Sequence, residues 1–164
     1  MMTNGEYIDE ISARNLGKFI LENRDYISKH DLIKLLEVII TNYGDFGGFY
    51  DGYADKCYED VVLEPLGEVL FEKDLDENDI KRIFRLLEKD DYNLMNIILN
   101  IFLKHAEKFS KYSDVLKKCI DEYDYFIYLI KLGKKDEVLK QLDKSDLEES
   151  EKFEILTMID EVRQ

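Results

Sequence analysis

Histidines and closely spaced carboxylates are the residues of this chain that could support metal or acid–base chemistry. The two histidines, His30 and His105, have no second ligand at helical spacing, so a zinc site is not expected. A calcium loop beginning at Asp74 also fails. Its sixth position, where a sharp turn needs glycine, is Asp79, and its twelfth, where a bidentate glutamate belongs, is Arg85. We therefore predict neither a metal nor any other cofactor.

A second test concerns the run EESEKFE, which contains Glu148, Glu151 and Glu154. All-α hydrolases of nucleoside triphosphates hold magnesium between paired glutamates on facing helices, but no answering acidic pair follows this run at a suitable distance. A solvated helix face explains these residues better. The glycine-rich stretch GDFGGFYDG contains no base that could hold a phosphate. The sequence thus predicts a protein that is not an enzyme.

The most unusual stretch is YGDFGGFYDGYADKCYED, residues 43–60, which holds four of the eight glycines together with six aromatic residues and five carboxylates. Glycine permits sharp turns, and tyrosine is a frequent hot spot in protein interfaces. One interpretation is a recognition loop; the other is a plug that folds back onto the end of a helical bundle. The first predicts these partner-binding residues: Tyr43, Asp45, Phe49, Tyr50, Asp51, Tyr53, Asp55, Glu59 and Asp60.

Charge indicates the type of partner. The chain carries 37 acidic and 23 basic residues, a formal net charge of −14. Residues 45–79 hold twelve acids and two lysines, whereas residues 81–120 hold five acids and nine bases. Direct nucleic-acid binding is disfavoured because it normally needs a basic surface. Concentrated negative charge instead attracts and orients a basic protein.

Helical periodicity predicts the elements that position these residues. Apolar residues recur at spacings of three and four over residues 6–23, 28–44 and 92–109, and the last of these helices is apolar around most of its circumference. We predict an all-α fold of eight or nine helices without strands, with residues 92–109 among the most buried. The loop at 43–60 interrupts the helices, and Pro65 kinks or starts the helix that follows.

A weak recurrence places a polar cap and an aspartate before aliphatic helices at Asp31, Asp79 and Asp114. This spacing resembles HEAT-type α-solenoid repeats built from helical hairpins; an irregular helical bundle is the alternative. We expect a single domain over residues 1–164, a cytoplasmic location and no membrane segment, since the longest apolar-rich run is ten residues. Cys57 and Cys119 are expected to be buried thiols.

The acidic, all-helical character and the loop YGDFGGFYDGYADKCYED resemble the immunity proteins of bacterial polymorphic-toxin and contact-dependent growth inhibition systems. This resemblance implies a tight and specific protein partner, such as a toxin nuclease domain whose cationic active site the protein occludes. It implies no catalytic role. The alternative function is that of a HEAT-like scaffold or adaptor subunit, which holds another protein without inhibiting it.

Overall fold

Nine α-helices and no strand are found in residues 10–46, 59–91 and 93–163, which are the residues that the computed structural model describes. This confirms the all-α prediction, and the unequal helices, interrupted by 3₁₀ and π turns, form an irregular helical bundle. The contacts divide the chain into two compact units, Met1–Phe102 and Leu103–Gln164. The single-domain assignment remains a prediction, and the units are described one at a time.

The first unit begins with α1, Glu10–Glu22, and α2, Lys29–Phe46. Ser28 caps α2, because its hydroxyl accepts the N–H of Asp31 at 3.1 Å. The prediction that α2 stops at Gly44 is wrong. The helix continues to Phe46 across a kink at Asn42, whose φ of −118° and ψ of 17° absorb the distortion.

A π-helical turn, Glu59–Leu63, leads into α3, Glu64–Glu72. Pro65 lies in the first turn of α3, where its missing N–H costs nothing, so it starts the helix and does not kink it. Helix α1 packs against both segments. The close approach depends on Gly17, since a Cβ atom there would lie only 1.9 Å from the carbonyl oxygen of Val61.

Helix α4, Glu77–Phe84, is capped by Asp76, and a 3₁₀ turn, Arg85–Lys89, follows it. The Asp76 and Asp79 side chains each accept the other residue's backbone N–H at 2.9 Å. Asp79 is buried and receives the ammonium of Lys29 at 2.6 Å. Burial raises the pKa of Asp79, but the bonds from Lys29 and the Asp76 backbone outweigh it, so the net shift is downward.

The predicted helix over 92–109 is shorter in the structure. Helix α5 spans Met95–Lys104, and a separate 3₁₀ turn covers Ala106–Tyr112. Asn93 has a φ of +59°, which a helix does not tolerate, and the Asp90 carboxylate accepts the N–H groups of Leu94 and Met95 at 2.8 and 2.7 Å. The conformation of Asn93 and the hydrogen bonds to Asp90 explain why α5 begins at Met95 and not at residue 92.

The predicted burial of α5 is confirmed, since most of its apolar side chains are buried. Phe102 lies edge-on to two other rings of the first unit. Its centroid is 5.3 Å from that of Phe71 and 5.0 Å from that of Phe84. Such arrangements are favoured by the ring quadrupoles.

The second unit contains four helices in its described residues: α6, Ser113–Cys119; α7, Glu122–Lys131; α8, Lys135–Leu142; and α9, Glu149–Arg163. Ser113 does not cap α6. Its hydroxyl donates to the Ser110 carbonyl at 2.8 Å and lies 2.9 Å from the buried Tyr128 hydroxyl. Gly133 follows the end of α7 with a φ of +78°, a C-terminal geometry that favours glycine.

Cys119 ends α6 and is half-buried, less shielded than predicted; Cys57 lies outside the described residues. Among the helices that the structure describes, none is both long and apolar enough to cross a bilayer.

Candidate protein-binding surfaces

The structure reaches the predicted recognition segment only at its two ends. Tyr43 and Asp45 belong to the last turn of α2, and Glu59 and Asp60 begin the π-helical turn before α3. The other predicted binding residues, Phe49, Tyr50, Asp51, Tyr53 and Asp55, lie outside the described residues. The recognition and plug interpretations of residues 43–60 therefore both stay predictions.

An acidic surface lies in the second unit, where α9 packs against α7. We call it the acidic α9 surface. It includes a shallow cavity of about 320 Å³ and, on another side of α9, the exposed residues Glu149, Phe153 and Leu156. The cavity is lined by Asp121, Glu122, Tyr123, Asp146, Leu147 and Glu151. Residues 143–161 carry eight acids and two lysines, so α9 and the segment before it are strongly negative.

Hydrogen bonds across this surface fix its side chains. The Tyr123 hydroxyl donates to the Glu154 carboxylate at 2.7 Å, joining α7 to α9. The Glu122 carboxylate accepts the backbone N–H of Asp146 at 3.2 Å and so holds the segment that precedes α9. Each carboxylate keeps an oxygen available to a further donor, because a carboxylate accepts several hydrogen bonds.

Two groups at the start of α7 have shifted pKa values. The hydrogen bond to Glu154, with burial, raises the pKa of Tyr123 to about 12, so the phenol stays protonated and keeps donating at neutral pH. Burial, together with the neighbouring charge of Asp121, raises the pKa of Asp124 to about 7. Asp121 itself caps α7 by accepting the N–H of Asp124 at 2.8 Å. The Asp124 carboxyl is therefore partly protonated near neutral pH, which reduces the local negative charge.

Exposed apolar side chains accompany these acids on α9. Ile155 and Ile159 are buried, whereas Phe153 is 70% exposed and Leu156 is 42% exposed. Phe153 and Leu156 are three residues apart and lie side by side on one face of the helix. Glu149, one turn before Phe153, is exposed on the same face. The helix thus has a second apolar strip, directed at solvent.

The first unit has an exposed apolar groove between α1 and α2, which we call the aromatic groove. Its volume is about 370 Å³, and it is lined by Leu16, Phe19, Ile20, Asn23, Tyr26, Ile27, Asp31, Leu32 and Leu35. Phe19 is 55% exposed and Tyr26 is 88% exposed. A contact surface for apolar side chains is its simplest chemical description.

Sequence reasoning treated the acids of EESEKFE as a solvated helix face and missed Phe153 in their midst. A lone phenylalanine between Lys152 and Glu154 in this acidic run was the available signal, since an aromatic side chain is costly to leave in water. No group of three His, Cys, Asp or Glu side chains arranged to hold a metal ion occurs in the part of the chain that the structure describes.

No family model, curated protein or solved structure matches this chain. The resemblance to immunity proteins therefore remains a prediction. Inferences about function rest on the chemistry of the surfaces described above.

Proposed function

We propose that the protein binds a basic protein partner and inhibits it by covering a cationic surface, as an immunity protein covers a toxin. The observation that carries this proposal is the exposure of Phe153 and Leu156 among the carboxylates of α9. Burying such side chains against a partner supplies affinity, while the surrounding acids select a basic partner. A toxin nuclease domain is a partner of this type, because an active site that binds nucleic acid is cationic.

The charge of the whole chain supports the same assignment. A net charge of −14 accelerates encounter with a basic protein, and the effect is screened beyond a Debye length of about 8 Å at physiological ionic strength. The proposal includes the acidic, tyrosine-rich segment 43–60 as a second contact. Inhibition requires no chemistry from the protein itself, in keeping with the prediction that it is not an enzyme.

Substitutions on the acidic α9 surface test the proposal once the partner has been purified from the source organism. Phe153→Ala should weaken binding by about 2 kcal/mol or more if the ring is a hot spot, which is about thirtyfold in Kd. Glu149→Lys should slow association and reduce inhibition of the partner's activity. The control is Asp136→Lys, since Asp136 and Glu149 are both exposed acids in the first turn of a helix.

The predicted loop is tested separately by Asp51→Lys and Asp55→Lys, with Tyr50→Ala and Tyr53→Ala for its rings. If these four variants keep the wild-type affinity while Phe153→Ala still weakens binding, the interface is limited to α9. If the α9 variants and the loop variants all keep full affinity and full inhibition, the proposal is refuted. Titrations by calorimetry, with melting curves for each variant, separate lost contacts from lost folding.

The second candidate function, a scaffold or adaptor subunit, is favoured by the aromatic groove, because Phe19 and Tyr26 offer an exposed apolar contact surface. In that case Tyr26→Ala should lower affinity for the purified partner. Glu149→Lys should not, and the partner's activity should be unaffected by binding.

A further inference from the structure

The first unit contains a concave surface whose charge is opposite to that of the whole protein. We call it the basic groove. One wall is α2, and the other is α4 with the 3₁₀ turn that follows it. Its volume is about 510 Å³, and it is lined by Lys34, Glu37, Val38, Thr41, Arg82, Arg85, Leu86, Glu88 and Lys89. Four cations and two carboxylates therefore line one cavity in a protein of net charge −14.

An ion pair joins the two walls inside the groove. The Arg82 guanidinium donates to both carboxylate oxygens of Glu37, from Nε at 2.5 Å and from Nη2 at 3.1 Å. The bond from Arg82 is the main cause that lowers the pKa of Glu37, and the charges of Lys89 and Lys34 add to it. Such a bidentate pair has a fixed geometry, so it sets the spacing of the groove.

The other three cations lack such a partner. Lys34, Arg85 and Lys89 are exposed, and none of them lies within 4.0 Å of a carboxylate of any residue that the structure describes. Their mutual repulsion inside one cavity is relieved when an anion binds between them. The groove thus has unmatched positive charge at a defined place.

The floor of the groove is apolar between these charges. Val38 is 41% exposed, and the buried Leu86 faces the same cavity. A bare phosphate ion would contact the cations and leave Val38 in water. A peptide can place an aliphatic side chain on Val38 and carboxylates on the cations, so it accounts for more of the lining.

We infer that the basic groove binds an acidic peptide segment of a partner protein, with carboxylates at Lys34, Arg85 and Lys89 and an aliphatic side chain over Val38. A nucleic-acid backbone fits less well. Its evenly spaced phosphates would meet the Glu88 carboxylate in the lining, whereas a peptide can place an uncharged residue there. This inference does not depend on the proposed function, which concerns a basic partner and other residues.

A fluorescein-labelled hexapeptide, Glu-Glu-Val-Glu-Leu-Glu, tests the inference by fluorescence anisotropy with the full-length protein. We expect saturable binding that weakens as salt rises, because charge attraction is screened. A matched peptide in which glutamine replaces each glutamate should not bind. Absence of saturable binding by the glutamate peptide would overturn the inference, as would stronger binding of a single-stranded oligonucleotide of equal length.

The site is located by a double variant, Arg85→Glu with Lys89→Glu, which should weaken peptide binding about tenfold or more through like-charge repulsion. Arg82 is left intact because it joins the walls. The control is Lys117→Glu with Lys118→Glu, two exposed lysines of α6 whose reversal changes the net charge equally. Equal losses in the two double variants would overturn the assignment, since they would mean that only total charge matters.

A third variant, Val38→Asp, keeps the inference testable if the double variant melts early. It places a carboxylate on the exposed part of the floor and should reduce binding of the glutamate peptide while leaving the melting temperature near that of the wild type. Inorganic phosphate that displaces the peptide at equimolar concentration would also count against a peptide site.

Discussion

Replacing Gly17 by alanine tests how closely α1 must approach the segment that precedes α3. The new Cβ atom would lie 1.9 Å from the Val61 carbonyl oxygen and 3.3 Å from Cγ of Pro65, whereas ordinary contact begins near 3.4 Å. The obstacle at Val61 is backbone, which cannot rotate away as a side chain can. Helix α1 would have to move outward by more than an ångström and lose contact along its length.

The magnitude follows from two opposed effects. Alanine favours the helix by about 1 kcal/mol over glycine. Overpacking costs about 1–3 kcal/mol and occasionally more, and the short distance to a backbone atom places this site at or above the upper end. We expect Gly17→Ala to lower the free energy of unfolding by about 2 kcal/mol, which is about 4–8 °C in Tm for a chain of this size.

Thermal and urea unfolding followed by circular dichroism measure the effect. The control is Asn15→Ala, an exposed position on the same helix, which should be neutral or stabilising by about 0.5 kcal/mol. A Gly17→Ala protein as stable as the wild type would refute the reasoning, because it would show that the helix propensity of alanine outweighs the contact with Val61.

Three further predictions concern caps and titrating groups. Asp90→Ala should destabilise the protein by about 1–2 kcal/mol in urea unfolding, because two N–H groups at the start of α5 lose their acceptor; Asp91→Ala should not. The pKa of Asp124 is higher in the folded state, at about 7, than in the unfolded state. Stability should therefore fall as pH rises from about 4 to 7, and Asp124→Asn should flatten that dependence in urea titrations at several pH values. The phenol of Tyr123 should ionise at about 12 by ultraviolet titration, and Glu154→Gln should return its pKa towards the ordinary value. A Tyr123 titration unaltered in the Glu154→Gln variant would contradict the assigned hydrogen bond.

Much of the fold could be predicted because its signals are local. The caps at Ser28 and Asp76 and the glycine after α7 each depend on residues only a few positions away in the chain. The errors have local causes that propensity does not reveal. Gly44 lies in a helical segment that follows a kink at Asn42, and α5 starts late because Asn93 adopts a left-handed conformation.

The surfaces were harder to predict because their residues are distant in sequence. Glu37 and Arg82 are 45 residues apart, and the packing of α2 against α4 and the 3₁₀ turn brings Lys34 and Lys89 to one groove. The excess of bases over residues 81–120 gave the sign of this surface but not its place. On α9 the difficulty is a residue whose type is misleading. Phe153 is exposed although its type predicts burial, because Ile155 and Ile159 already occupy the inner face.

The contact between Lys29 and Asp79 has a consequence for how the first unit opens. Lys29 is the first residue of α2, and Asp79 belongs to the capping box of α4, so one ion pair secures the beginnings of two helices. Fraying of either end would leave the Asp79 carboxylate buried without its cation, which is costly. The first turns of α2 and α4 should therefore exchange their amide hydrogens with similar protection, as one cooperative unit and not as two independent helix ends.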